Sequence, residues 1–166
     1  TVRLFFSLLI LISITTSASP LNPVKTDSPR DTMKTFMDAM NDYKLGVEKG
    51  NYTLKSRIDD AIRCLAPAPS QTLSSKTAQM NAAIMLKETI DRVILINYEL
   101  IPEQLDRPRW RLKDTEILLR PMVDGDRSGE WLITYDTWTR ARDFYKTVQA
   151  LPYLEGSGAG AFYRKP

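Results

Sequence analysis

A chain of 166 residues suits a single domain with its own core, and 23 basic against 20 acidic residues leave a formal charge of only +3. One cysteine and no histidine rule out an internal disulfide, leave a structural zinc site short of its usual ligands, and make Ser-His-Asp or Cys-His catalysis unbuildable. No catalytic residue, metal ligand or cofactor is expected, and no binding residue stands out.

The first element is the run Leu4-Phe5-Phe6-Ser7-Leu8-Leu9-Ile10-Leu11-Ile12-Ser13-Ile14, preceded by Arg3 and followed by the small residues Thr16 and Ala18. This is the order of a signal peptide, and the run falls well short of the roughly twenty apolar residues that a bilayer requires. Cleavage is expected between Ala18 and Ser19. The chain then divides into a signal peptide over 1–18, an extended lead-in over 19–27 with Pro20 and Pro23, one domain over 28–154, and a flexible linker over 155–166. The linker follows from Glu155-Gly156-Ser157-Gly158-Ala159-Gly160, and a linker that leads nowhere suggests a truncated chain.

Ser28-Pro29-Arg30-Asp31 opens the first helix with a hydroxyl cap, a proline at the first helical position and a carboxylate near the positive end. Met33, Phe36, Met37 and Met40 fall at i, i+3, i+4, i+7, one stripe facing a core. Gly46 and Gly50 close it. Asn51-Tyr52-Thr53 matches a glycosylation sequon but reads as a turn into a second helix, in which Ile58, Ala61, Ile62 and Leu65 repeat the spacing before Pro67 and Pro69 stop it. These two helices are expected to form an antiparallel αα-hairpin. After the polar run 70–75 a longer third helix carries Met80, Ala83, Leu86, Ile90, Val93 and Ile94; the stretch Ile94-Leu95-Ile96-Asn97-Tyr98 fits continued helix or strand.

From Leu100 the pattern changes. Pro102 and Pro108 break helix, Trp110 to Arg120 alternates as a strand, Asp124-Gly125-Asp126-Arg127-Ser128-Gly129 is a turn by composition, and Glu130 to Tyr135 returns as a second strand. A last helix capped from Asp136-Thr137-Trp138-Thr139 places Ala141, Phe144, Tyr145 and Val148 on one side, and Pro152 ends it. The expected class is α+β: an N-terminal three-helix region, then a β-hairpin, then a C-terminal helix.

Few groups invite chemistry. Asp124 and Asp126 resemble half a calcium loop, but the third oxygen position is Ser128 and the twelfth is Tyr135, where a bidentate Glu belongs. Asp59 and Asp60 are adjacent on a helix and point about 100° apart, so they do not converge. Arg107-Pro108-Arg109-Trp110-Arg111 interleaves cations with an aromatic ring, as single-strand binders do, but export argues against nucleic acid. Together with Arg140 and Arg142 these arginines read as solvated surface, with weak attraction to anionic headgroups as the sharper alternative. Cys64, between Ile62-Arg63 and Leu65, reads as a small buried hydrophobe.

Several phrases, in order, resemble the extracytoplasmic region that precedes the pore in bacterial small-conductance (MscS-like) mechanosensitive ion channels. They are Ser28-Pro29-Arg30-Asp31-Thr32-Met33-Lys34-Thr35-Phe36-Met37-Asp38-Ala39-Met40, Ile62-Arg63-Cys64-Leu65, Asp91-Arg92-Val93-Ile94, and Gly129-Glu130-Trp131-Leu132-Ile133 followed by Phe144-Tyr145 and Leu151-Pro152. The resemblance implies a non-enzymatic regulatory or assembly domain on the periplasmic side, tethered to the inner membrane. Its partners would be the membrane-embedded channel region of the same protein and other copies of the chain, with weak contact to the membrane surface or cell wall, and no nucleic acid. It transfers no functional residue, and the channel's spanning helices have no counterpart after position 20. A freestanding exported ligand- or peptide-binding protein is the alternative; an enzyme using Asp124 and Asp126 is the least favoured.

Overall fold

The computed structural model describes residues 22–69 and 74–162. The signal peptide expected over 1–18 lies outside the described residues. Helix α1 (Pro29–Lys49) starts where the sequence places it: Ser28 is extended, and its Oγ accepts from the Asp31 amide at 3.1 Å. Met33, Phe36, Met37 and Met40 are all buried along one stripe. Gly50 ends the helix at φ +65°, a left-handed geometry that costs glycine little, and the Asn51 amide returns to the Gly46 carbonyl at 2.8 Å. Ser28→Ala is expected to cost about 1 kcal/mol, read as a lower urea midpoint at unchanged slope.

The expected second helix is instead two short ones, α2 (Tyr52–Lys55) and α3 (Ile58–Arg63). Asn51 caps α2, accepting from the Leu54 amide at 3.0 Å. The corner between them is held by Arg57, which is buried, donates to Asp42 of α1 at 3.1 Å and also pairs with Asp60. That corner turns Ile58 and Ala61 inward, while α2 buries nothing. The αα-hairpin is thus α1 against two helical pieces.

Ser75 caps α4 (Lys76–Val93), accepting from the Ala78 amide at 3.1 Å. Its apolar face of Ala83, Leu86 and Ile90 is buried as expected. Ile94 is extended, so the helix stops there; the chain runs on without regular structure to a short 3-10 turn at Tyr98–Leu100.

The long strand expected from Trp110 to Arg120 is broken into β1 (Trp110–Arg111) and β2 (Leu118–Pro121) by a tight turn. Asp114 adopts φ +59°, which aspartate tolerates better than most residues. The Leu112 amide then reaches the Ile117 carbonyl at 2.9 Å, and the turn buries both of those side chains. With β3 (Trp131–Ile133) they form an antiparallel sheet in the order β1-β2-β3. Leu119 sits opposite Trp110 on one side and Ile133 on the other. The free side of β3 is covered twice: the Ile133 amide donates to the Cys64 carbonyl at 2.9 Å, and the Trp131 amide to Thr26 at 2.7 Å.

The closing helix is also split, into α5 (Tyr135–Thr139) and α6 (Ala141–Val148), and the cap is Thr134 rather than the residues after it, its Oγ1 accepting from Thr137 N. Trp138 is buried and its indole N–H donates to the Ala66 carbonyl at 2.8 Å, which fixes α5 to the segment after α3. Helix α6 packs along α4. The fold is α+β, with Phe36, Leu65, Leu86, Ile90, Ile117, Leu119 and Ile133 filling the space between α1, α4 and the sheet. No helix of the described residues is long and apolar enough to cross a membrane.

Candidate functional site

The second half of α4 is buried nearly all round. Between Leu86 and Ile90, which face the core, lie Lys87 and Glu88, both with no exposure, and Asp91 follows at 1%. Charge this deeply buried persists only when paired and hydrogen-bonded. Two i,i+4 pairs supply that: Lys87 with Asp91, and Glu88 with Arg92.

The remaining partners come from the end of the chain. Both oxygens of Glu88 are occupied. Oε1 accepts from the amides of Ala161 at 2.8 Å and Phe162 at 2.9 Å, and Oε2 from Arg92 and from the Tyr153 hydroxyl at 2.7 Å. Asp91 Oδ2 takes the Gly160 amide at 2.7 Å, and the Asp91 carbonyl takes Leu154 N at 2.8 Å. From α1, Lys44 Nζ donates to the carbonyls of Gly158 and Ala159 at 2.8 and 3.0 Å. Arg92 also holds the Leu151 carbonyl at 3.0 Å and lies 4.0 Å from the centre of the Tyr153 ring, a cation–π distance. Among the described residues, the one buried side-chain nitrogen or oxygen without a partner is Arg57 Nη2, so every buried polar side-chain atom of the cluster has at least one partner.

Of the flexible linker expected over 155–166, residues 163–166 lie outside the described residues, and 158–162 lie hydrogen-bonded against α1 and α4. The glycines there allow close approach rather than freedom of motion. Gly160 has φ +74°, and a Cβ on it would stand 2.5 Å from the Tyr153 hydroxyl oxygen and closer still to the Glu88 carboxylate. A Cβ on Gly158 would stand 2.6 Å from Lys87 Nζ. The segment is a strap laid against α1 and α4, and its Ala161 is buried.

Burial alone would raise the Glu88 carboxyl, but the hydrogen bonds from Arg92, Tyr153, Phe162 and Ala161 together hold it below the ordinary carboxylate value. Burial lowers Lys87, and Asp91 restores only part of the loss. Tyr153 is raised, by burial and then by its bond to Glu88. A carboxyl depressed in the folded state stabilises fully above its unfolded pKa of about 4.3 and loses that contribution as pH falls through its folded value. The urea midpoint is therefore expected to fall with pH below about 4.3, and the part due to Glu88 should vanish in Glu88→Gln.

Of the groups weighed in the sequence, Arg111 and Arg140 come to line one hollow, while the carboxylates and the thiol stay apart. Asp124 and Asp126 are exposed in the turn between β2 and β3, and no group of three metal-capable side chains occurs among the described residues. Asp59 pairs with Lys76 at 2.7 Å and Asp60 with Arg57. Arg107 and Arg109 are exposed, whereas Trp110 is half-buried and packed against the core. Cys64 is fully buried, its thiol pushed up to about 12 by burial. A hollow of about 610 Å³ opens between α4, α6 and the 112–117 turn, floored by Val93, Ile117, Phe144 and Val148.

Sequence reasoning missed Lys87, Glu88, Asp91 and Arg92, because i,i+4 pairs of opposite charge ordinarily lie on a solvated helix face. The available signal was downstream: glycines at alternate positions, 156, 158 and 160, flanked by Tyr153 and Phe162, are what a backbone needs to lie against a helix. No protein-family model, curated protein or solved structure matches this chain.

Proposed function

We propose that this chain is a non-enzymatic extracytoplasmic regulatory or assembly domain of a mechanosensitive-channel-like membrane protein, with its pore in a part of the protein beyond these residues. The reading rests on the resemblance of the phrases in the sequence, and the observation that carries it is the strap. Residues 158–162 are fixed by charged side chains of two helices, so a pull on the chain beyond them is transmitted to α1 and α4 rather than absorbed by slack. A regulatory head needs such a stiff junction. An ordinary flexible tether would decouple it.

The alternative, a freestanding exported binding protein, is favoured by the 610 Å³ hollow, whose volume falls in the range of small-ligand sites. Reading the gene onward in frame from the codon for Pro166 separates the two. Apolar runs of spanning length support the channel domain; an immediate stop codon overturns it. In the whole protein, pressure-clamp recordings from membrane patches should then show Glu88→Gln shifting the opening threshold. An unchanged threshold argues against a regulatory role and leaves assembly.

A further inference from the structure

We propose that the sheet face opposite the core is a binding site for phosphate groups, with Arg111, Arg120 and Arg140 as its ligands. The sheet register supplies two of them. Trp110, Leu119 and Ile133 share the core face, so the pairs Arg111 with Leu118 and Arg120 with Leu132 lie on the other. Leu132 is fully buried yet stands outside the main core cluster, which agrees with that orientation. The third guanidinium comes from Arg140, at the junction of α5 and α6. All three line one hollow of about 420 Å³.

What marks the trio is the lack of partners for two of its members. Among the described residues Arg120 and Arg140 join no ion pair. Arg140 stacks over the Phe144 ring at 5.1 Å, which orients its planar fork without consuming its donors. Arg111 meets Glu116 only at 3.6 Å, with both side chains more than half exposed, a contact that phosphate can displace. Glu116 and Asp136 also line the hollow, so the balance is three cations against two carboxylates. Guanidinium forks recognise phosphate bidentately, so the ligand is a phosphate or phosphoester group, presented by a soluble molecule or by a lipid headgroup.

The test is a titration of the whole chain with inorganic phosphate and pyrophosphate at constant ionic strength, followed by NMR. Saturable shifts centred on Arg111, Arg120 and Arg140 are expected. The double variant Arg120→Gln/Arg140→Gln should bind at least about tenfold more weakly, Asp136→Asn more tightly, and Arg63→Gln, an exposed arginine on α3, as the unaltered chain does. Absence of saturable shifts, or equal loss in Arg63→Gln, overturns the site. Co-sedimentation with phosphatidylcholine vesicles, with and without phosphatidic acid, identifies the source. Sedimentation that needs phosphatidic acid and is lost in the double variant assigns the headgroup, whereas phosphate binding without sedimentation assigns a soluble phosphoester.

Discussion

Glu88→Ala is expected to lower the free energy of unfolding by roughly 3–5 kcal/mol, the usual cost of removing one partner from a buried ion pair. The substitution leaves Arg92 without its carboxylate and strands two strap amides, those of Ala161 and Phe162, together with the Tyr153 hydroxyl. Glu88→Gln keeps an acceptor oxygen and should cost less, roughly 1.5–3 kcal/mol. Urea unfolding of both variants measures the difference. Glu88→Ala/Arg92→Met should recover part of the loss, since the stranded cation is then gone as well. An exposed pair gives the contrast: Glu116→Ala at the Arg111 contact should change stability by less than about 1 kcal/mol.

Phe36→Ala is expected to cost a similar amount, about 3–5 kcal/mol, for a different reason. Phe36 is fully buried in the cluster shared by α1, α4 and the sheet, and its removal leaves a cavity that surrounding side chains fill only in part. Domains of this size are stable by about 5–15 kcal/mol, so either change takes a large share. The two are distinguishable. Phe36→Ala should weaken the whole fold together, while Glu88→Ala should first release the strap and leave the circular dichroism of the helices nearly unchanged.

How much of this was legible in the sequence depended on whether the cause was local. The start of α1 was readable from Ser28-Pro29-Arg30-Asp31 because capping is decided within one turn, and its buried face because Met33, Phe36, Met37 and Met40 keep helical spacing. The same holds for α4. The break between α2 and α3 was not readable, since it depends on Arg57 reaching Asp42, fifteen residues back on α1. Nor was the split between β1 and β2, where Ile117 and Leu112 look like continued alternation and only Asp114 marks the turn. The strap reads as a linker in the sequence because its glycines signal flexibility in isolation. What orders them lies sixty or more residues away, in Glu88 and Asp91. Composition told which side chains were absent, but not which of the present ones would be brought together.

Amide hydrogen exchange at Gly160, Ala161 and Phe162, followed by NMR in the whole chain, tests the strap most directly. Slow exchange at all three in the unaltered protein, lost at Ala161 and Phe162 in Glu88→Ala, is the expected result. Exchange at the rate of an unstructured peptide in the unaltered protein would contradict it, and with it the stiff junction on which the proposed function rests.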